Sequence, residues 1–226
     1  MNLEVLFEDN HVLVVHKPAG LLSQGDNSGD ISLVDLAQTY LKAKYDKPGA
    51  VYLALIHRLD RPVGGVMVLG KTSKAAQRLT EQFQQKTTQK TYWAVTERRP
   101  SASEGTLSHY LRKIQGKNII RAYDNEVKGS KLAVLRYRVL AEAGVRCLLE
   151  VTPLTGRQHQ IRAQLAAMGC PIVGDVKYGK TDFLPDQSIA LYARRLNFEH
   201  PTGKKRLTFD APPPDGFPWR LFNPAE

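Results

Sequence analysis

The stretch Val51-Tyr52-Leu53-Ala54-Leu55-Ile56-His57-Arg58-Leu59-Asp60 guides the interpretation of the whole chain. Its first six residues are apolar or aromatic and predict a β-strand. A strand that ends in His-Arg-Leu-Asp would deliver a carboxylate to the rim of a sheet, beside a guanidinium. Acids in such places tend to take part in chemistry, although a strand-end acid paired with a surface cation is the commoner arrangement.

The segments around this stretch predict an α+β fold. The predicted strands cover residues 3–7, 12–15, 51–56, 65–70, 90–95, 133–140 and 146–151. One helix should follow Ser32, with Asp35 completing a capping box, a second should be capped by Ser73, and a third should span residues 156–168 and end at Gly169. Residues 100–129 are polar and typical of turns. Strands outnumber helices and lack regular crossover helices, which favours α+β over a doubly wound sheet. We find no internal repeat or linker, and expect one domain over residues 1–226.

Composition limits the class of protein and of partner. The chain has 226 residues, 42% of them hydrophobic, which fits a globule large enough for a sizeable core. Its net charge of +10 favours a polyanion such as RNA or DNA as partner, although a generally basic surface would give the same total. Acidic residues near the N-terminus argue against a signal peptide, and no apolar run is long enough to span a membrane. We therefore expect a cytoplasmic protein that does not bind membranes.

Residues 65–72 match the phosphate-loop pattern G-x-x-x-x-G-K-[ST]. A phosphate cradle needs small residues whose backbone amides turn inward. The four residues between the glycines, Val66-Met67-Val68-Leu69, are instead typical of a strand. We interpret the match as a coincidence; a nucleotidase would have to bind ATP or GTP measurably.

Two further segments carry residue types suited to RNA chemistry. Tyr92 lies in a predicted strand, where a tyrosine is most often a packed ring, yet its phenol could stack on a base or move a proton. Gly156 is predicted to open a basic helix, whose free amides would favour anions. Arg157 and Arg162 are five residues apart, so we expect one to face phosphate and the other to turn inward. A solvated basic helix would explain the arginines but not the surrounding Gly-Arg-x-His-Gln cluster.

Metal and disulfide chemistry are not supported by the sequence. His57, His159 and Cys170 are scattered, without the spacing of metal ligands. The two cysteines, Cys147 and Cys170, form no C-x-x-C pair and cannot build a disulfide framework.

Together these segments resemble the motifs of the RluA family of pseudouridine synthases. The resemblance rests on His57-Arg58-Leu59-Asp60, Lys90-Thr91-Tyr92 and Thr155-Gly156-Arg157-Gln158-His159-Gln160-Ile161-Arg162. Residues 9–21 and 170–179 also resemble segments of that family, so the similarity runs from about residue 5 to residue 200.

The resemblance implies a pseudouridine synthase fold, a long and largely antiparallel mixed sheet flanked by helices, with an RNA-binding cleft. It implies that the chain isomerises uridine to pseudouridine at a specific site in ribosomal RNA, transfer RNA or both, without a cofactor or metal. It further implies a catalytic domain without a separate N-terminal RNA-binding domain. We expect a monomer.

The resemblance also assigns roles to individual residues. Asp60 would be the nucleophile, Tyr92 would contact the target base and serve in proton removal, and Arg162 would pair with Asp60 and keep it ionised. Arg58 would fill the gap left by a flipped nucleotide. The residues expected to bind RNA are His57, Arg58, Arg61, Arg157, His159 and Gln160.

Three departures from the family pattern bear on substrate identity rather than on reaction type. After the aspartate, the family usually has a small polar pair and then glycine, where this chain has Arg61-Pro62-Val63-Gly64-Gly65. Gln164 and Tyr192 stand where histidines are more usual. The alternative function is a non-catalytic RNA-binding module on the same fold, which the charge alone would support.

Overall fold

The computed structural model describes residues 3–179 and 182–222. The chain divides into two compact units, the first formed by residues 1–90 and 193–212 and the second by residues 91–192 and 213–226. This division does not test the single catalytic domain expected over residues 1–226, which stays a prediction.

The first unit is built on two buried central strands. Its elements are β1 (Glu4–Glu8), β2 (Val12–Lys17), α1 (Leu33–Lys44), β3 (Ala54–Leu55), β4 (Gly64–Gly70), α2 (Ser73–Gln84), most of β10 (Leu191–Glu199), and β11 (Arg206–Asp210). The strand order is β1-β2-β4-β10, with β3 beside β4 and β11 beside β10. All seven residues of β4 are buried, as are five of the six in β2, so both strands are covered on their two faces.

The predicted strand over residues 51–56 is wrong in extent, because β3 keeps only Ala54 and Leu55. β3 pairs with Leu69 and Gly70 at the end of β4, and β10 is the other neighbour of β4 on that side. β3 therefore has only the last two residues of β4 as partners. As a consequence, Asp60 lies in a loop between β3 and β4 and not at a strand end.

The helix starts follow local capping chemistry. The predicted capping box of α1 is confirmed: the Ser32 hydroxyl accepts from the Asp35 amide, and the Asp35 carboxylate accepts from the Ser32 amide. α2 is capped one residue earlier than predicted, because the Thr72 hydroxyl accepts from the Ala75 amide, and Ser73 is already helical.

The second unit is an antiparallel sheet with a single α-helix among its described residues. Its elements are most of β5 (Gln89–Thr96), β6 (Glu104–Lys113), β7 (Ile120–Tyr123), β8 (Lys131–Ala143), β9 (Arg146–Pro153), α3 (Gln160–Ala167), and a 3₁₀ turn (Trp219–Leu221). The strand order is β5-β9-β8-β6-β7, and every neighbouring pair is antiparallel. Ala163 of α3 packs with Leu111, Ile120 and Ala133, so α3 covers one face of this sheet.

Two expectations about the strands of the chain are corrected. Residues 100–129, expected to be turns, contain β6 and β7. The sequence of β6 has no apolar run, because only one face of the strand is packed and that face includes Gly105 and His109. β10 and β11, which follow residue 190, also lie beyond the last predicted strand.

The third helix begins at Gln160, four residues after the predicted start at Gly156. Its predicted end is confirmed. Gly169 has φ +83°, its amide donates to Ala166 O, and the Cys170 amide donates to Leu165 O, which together form a Schellman motif.

These elements confirm the α+β class. No helix within residues 3–179 and 182–222 is long and apolar enough to cross a membrane. Cys147 and Cys170 are both free and buried.

Candidate active site

Each fixed position of the phosphate-loop pattern has a structural role instead. A Cβ on Gly65 would lie 2.3 Å from Ala193 O, and a Cβ on Gly70 would lie 3.0 Å from Ala76, so both glycines allow close packing. The Lys71 ammonium donates to Glu8 Oε1 and to the Asp9 carbonyl, at 2.7 and 2.6 Å. With Thr72 capping α2 and β4 buried throughout, residues 65–72 form a strand and a helix cap, not a phosphate cradle.

The loop that carries Asp60 is held by hydrogen bonds on both sides of the aspartate. Before it, Leu59 donates its amide to Ser23 Oγ (3.1 Å), and Leu59 O accepts from the same hydroxyl (2.7 Å). After it, Arg61 and Gly20 bond reciprocally, through Gly20 N to Arg61 O (2.8 Å) and Arg61 Nε to Gly20 O (3.0 Å). The segment from residue 17 to residue 23 therefore forms a cradle that fixes the half-buried Asp60 in space.

Lys17 is the deepest part of this cradle. It is fully buried, and its ammonium donates to the carbonyls of Leu21 (2.7 Å), Pro18 (3.0 Å) and Arg61 (3.4 Å). Burial is the main reason that the pKa of Lys17 is lowered to about 7. The negative charge of Asp60 raises this pKa, and the positive charge of Arg61 lowers it further. Lys17 thus links the cradle directly to the residue that follows Asp60.

We expect the stability that depends on Lys17 to increase with pH. Its pKa is about 7 in the folded protein against an ordinary 10.5, so between these values the unfolded chain binds a proton that the folded chain lacks. The free energy of unfolding then rises with pH, by up to about 1.4 kcal/mol per pH unit. Urea unfolding measures the free energy of unfolding of wild type and of Lys17→Met. The difference between these two free energies should grow from about pH 7 to about pH 9.5. Lys74→Met, at an exposed lysine, is the control; a constant difference for Lys17→Met would contradict the expectation.

His57 makes internal contacts. Its ring stacks on Phe83 with centroids 4.7 Å apart, and its Nε2 accepts the Val68 amide at 3.2 Å. Burial, with a smaller contribution from the nearby Lys90 charge, lowers the pKa of His57 to about 3. A neutral ring in this place positions the chain just before Arg58, while the expected RNA contact of His57 stays a prediction.

The two arginines that flank Leu59-Asp60 differ in their surroundings. Arg58 is exposed and makes no hydrogen bond or ion pair with any described residue, so its guanidinium is available to a ligand. Arg61 is half exposed and pairs with Asp30 at 2.8 Å, besides its bond to Gly20. Arg61 therefore ties the loop around Asp30 to the Asp60 loop, and its RNA contact stays a prediction.

Tyr92 lies on β5 opposite Val151 of β9, which in turn lies opposite Tyr137 of β8. Side chains of paired residues share a face of a sheet. Ala133, which packs against α3, is on the same face as Tyr137. The Tyr92 side chain therefore lies on the face of this sheet that carries α3.

The loop before α3 is fixed by Gln160. Its Oε1 accepts from the Thr155 hydroxyl (2.7 Å) and the Arg157 amide (3.0 Å), and its Nε2 donates to Val134 O (3.0 Å). The Arg157 amide is therefore already bonded and does not act as a free helix-start donor. The RNA contact expected of Gln160 stays a prediction, and the structure gives this buried side chain a positioning role.

His159 is the N-cap of α3 and has a left-handed conformation with φ +49°. The ring is buried, and its Nδ1 lies 2.8 Å from the Tyr178 hydroxyl, which also accepts the Ile120 amide at 2.8 Å. The Tyr178 hydroxyl therefore connects the residue before α3 to the start of β7. The expected RNA contact of His159 stays a prediction.

Arg162 is buried and forms a two-point ion pair with Asp175. Nε lies 2.7 Å from Asp175 Oδ2, Nη2 lies 2.8 Å from Oδ1, and the guanidinium carbon is 5.2 Å from the Tyr178 ring centroid. Arg157 is exposed and donates to Leu132 O, so the expectation that one arginine turns inward is confirmed. Asp60 belongs to the first unit and Arg162 to the second, and their pairing stays a prediction.

Sequence reasoning missed the supporting residues Lys17, Ser23, Asp175 and Tyr178. The first two precede Asp60 by more than 35 positions, and the last two follow the α3 motif. Lys17, Asp175 and Tyr178 lie in segments 9–21 and 170–179, which were singled out only by their resemblance to the family, and Ser23 lies just outside them.

Two of the three departures from the family pattern, Gln164 and Tyr192, are buried in the second unit. Gln164 Nε2 lies within 3.2 Å of Leu107 O, Ala133 O and His109 Nδ1. Tyr192 packs edge-on against Trp219. Within the described ranges, no cluster of histidine, cysteine, aspartate and glutamate could hold a metal ion.

Comparison with known proteins identifies a family that this chain matches. The model of a family described as "RNA pseudouridylate synthase" matches residues 11–167. The ribosomal large subunit pseudouridine synthase C of Rickettsia bellii is 32% identical over 94% of this chain and 69% of its own length. That of Vibrio cholerae is 30% identical over 92% of this chain and 65% of its length, so this chain spans about two thirds of these relatives.

Solved structures give the same result for the fold. The human protein RNA pseudouridylate synthase domain containing 4 superposes with a TM-score of 0.78 at 26% identity, over 94% of this chain and 89% of that one. The human protein RNA pseudouridylate synthase domain containing 1 superposes with a TM-score of 0.73 at 24% identity, over 94% of this chain and 84% of that one. At this identity the likeness supports the fold alone. The expected fold, a mixed and mostly antiparallel sheet with helices, is confirmed.

Proposed function

The chain belongs to the RNA pseudouridylate synthase family, and from this premise we propose that it isomerises a specific uridine of large-subunit ribosomal RNA with Asp60 as the nucleophile. Membership makes the chain an RNA pseudouridine synthase, an isomerase. The target RNA and the roles of individual residues are the proposal.

The observation that carries the assignment of Asp60 is the cradle around its loop. Lys17, Gly20 and Ser23 bind backbone atoms of Leu59 and Arg61, the residues on either side of Asp60, and so fix the position of Asp60. A nucleophile must be held close to its geometry of attack for proximity to lower the barrier. A solvent-exposed aspartate without a catalytic role would not need its backbone to be fixed in this way.

The reaction exchanges one glycosidic bond for another. The bond between N1 of uracil and C1′ of ribose breaks, a bond between C5 and C1′ forms, and the proton lost from C5 is balanced by one gained at N1. The detached base must turn before it rejoins, so the pocket has to retain it. Tyr92 would contact this base and assist removal of the C5 proton.

Arg162 would keep Asp60 ionised once RNA excludes water from the site. A neighbouring guanidinium favours the carboxylate form and opposes the effect of desolvation. The pair with Asp175 supports this role, because it fixes Arg162 in a single orientation at the first turn of α3.

Arg58 would stabilise the RNA after the target nucleotide has left its stack. Flipping a nucleotide costs a few kcal/mol, and a planar guanidinium can stack in the vacancy. The exposure of Arg58 and its lack of a protein partner in the described part of the chain support this proposal. Arg157, also exposed, would contact phosphate.

Large-subunit ribosomal RNA is proposed as the substrate because the relatives named above are ribosomal large subunit pseudouridine synthases. The test is to map pseudouridines in ribosomal and transfer RNA from cells with and without the gene. Loss of one position in large-subunit RNA, restored by the wild-type gene, is expected. Loss only in transfer RNA would overturn the choice of substrate, and no loss in either would overturn the assigned activity. A cytoplasmic location and a monomeric state remain predictions.

A further inference from the structure

One face of the sheet in the second unit combines tyrosines and arginines that the proposed reaction does not use. Cross-strand registers place them together: Tyr110 lies opposite Tyr123 and Leu132, Arg112 lies opposite Arg121, and Thr106 lies opposite Arg136. We call this surface the arginine–tyrosine face. Its members are Tyr110, Arg112, Arg121, Tyr123, Leu132 and Arg136.

The arginine–tyrosine face is the side of the sheet opposite α3. Leu111 and Ala133, the strand neighbours of Arg112 and Leu132, point to the other side and pack with Ala163 of α3. Since Tyr92 shares the α3 side, the arginine–tyrosine face lies on the opposite side of the sheet from that proposed catalytic residue. A ligand on it would not touch Tyr92.

This face is open to solvent. Leu132 is 44% exposed in the middle of it, and Arg112, Arg121 and Arg136 are exposed around it. Arg136 also lines a cavity of about 410 Å³, whose other polar lining residues are Thr106, Thr152, Arg138, Glu104 and Glu150. An apolar and aromatic centre with a charged surround is typical of a binding surface.

Two of the positive charges on this face are not neutralised by the protein. The side chains of Arg121 and Arg136 have no hydrogen bond or ion pair with any residue in 3–179 or 182–222, whereas Arg138, on the same face, pairs with Glu150 at 3.0 Å. Arg112 and Arg121 face each other across β6 and β7, and like charges in that relation destabilise a sheet. A bound anion between them would relieve this repulsion.

Arg112 contacts the aromatic ring of Tyr123 on this face. Its Nη2 donates to the Tyr123 hydroxyl at 2.9 Å, and its guanidinium carbon lies 5.2 Å from the Tyr123 ring centroid. This cation–π pair lies beside Tyr110, so planar aromatic and guanidinium groups are adjacent on the same face of the sheet. Flat aromatic and guanidinium surfaces with nearby free arginines are the chemistry that binds single-stranded RNA, through base stacking and phosphate contacts.

We propose that the arginine–tyrosine face is a second RNA-binding surface, which holds a single-stranded segment of the substrate RNA away from the reacting uridine. The inference takes RNA as the partner from the proposed function. Along β6, the seven residues from Thr106 to Arg112 span about 20 Å, enough for several nucleotides. The face would add affinity for long RNA and leave the chemical step unchanged.

The test measures binding of a fluorescein-labelled 20-nucleotide oligouridylate to Asp60→Asn protein, so that no turnover interferes. Arg121→Gln with Arg136→Gln should weaken binding about tenfold and lower the slope of log K against log salt by about 1.4, the effect of two phosphate contacts on a single strand. The matched control is Lys47→Gln with Lys74→Gln, which removes the same charge from exposed positions in the first unit.

A stacking variant separates the two kinds of contact. Tyr110→Ala should weaken binding about tenfold without changing the salt slope, because stacking is not electrostatic. Circular dichroism and thermal unfolding of every variant check the fold. Equal affinity of the arginine variant and the lysine control would overturn the proposal, whether both bind as wild type does or both weaken alike. If oligouridylate binding depends on these arginines but the wild-type protein makes no pseudouridine, the assigned activity alone would be overturned.

Discussion

Asp60→Asn should reduce pseudouridine formation by about a thousandfold or more, the scale of loss when a covalent nucleophile is removed. The amide keeps the size and shape of the carboxylate but cannot act as a nucleophile or carry its charge. The measurement is tritium release from RNA labelled at C5 of uridine, under single-turnover conditions, with RNA binding determined in parallel. Binding should be kept, since Asp60 is not a phosphate ligand in the proposed mechanism.

The matched control is Asp215→Asn, the same chemical change at an exposed carboxylate of the described chain. Its release rate should stay within about twofold of wild type, as for most surface substitutions. Undiminished release by Asp60→Asn would remove Asp60 from the mechanism. A wild-type protein that binds RNA tightly but releases no tritium would instead favour the non-catalytic RNA-binding module.

Asp175→Asn should lower the free energy of unfolding by about 3–5 kcal/mol, because it removes one charge of the buried ion pair with Arg162. The side chains of Arg162 and Asp175 are only 4% and 1% exposed, so water cannot replace the lost partner. Urea unfolding followed by circular dichroism measures the change. Activity should fall as well, since Arg162 would lose the contact that fixes its orientation.

A matched pair of controls separates burial from charge. Glu150→Gln breaks the exposed pair with Arg138 and should cost less than about 1 kcal/mol. The double variant Arg162→Met with Asp175→Leu replaces the buried pair by apolar side chains and should recover much of the stability while staying inactive. A cost for Asp175→Asn as small as that for Glu150→Gln would show that the buried pair is not needed for folding.

Local chemistry predicted the elements that need only near neighbours. Ser32 and Asp35 are three residues apart and formed the expected capping box, and Gly169 ended α3 as predicted. Buried central strands such as β4 were also predicted, because both of their faces are apolar. β6 was missed since half of its side chains face solvent and its packed face includes Gly105 and His109.

The residues proposed to act on RNA could also be found from the sequence, as three separated motifs in the order of a known family. Their surroundings could not. The RNA contact expected of Gln160 stays a prediction, and the structure adds that its side chain is buried and bonded to Thr155, Arg157 and Val134. The sequence alone did not predict this internal role, because the three partners are known only once the chain is folded.

The sequence by itself therefore determined the family, the reaction and the motif that contains Asp60, because these depend on which residues are present and in which order. Only the tertiary structure decided how Asp60 and Arg162 are supported. Lys17 reaches the carbonyl of Arg61 across 44 positions of sequence, and Asp175 reaches Arg162 across 13. Such contacts arise from packing between distant segments, which no local pattern of residues encodes. The short strand β3 is the clearest case: its apolar residues predicted a full strand, but only Ala54 and Leu55 pair with β4, and Asp60 lies in a loop.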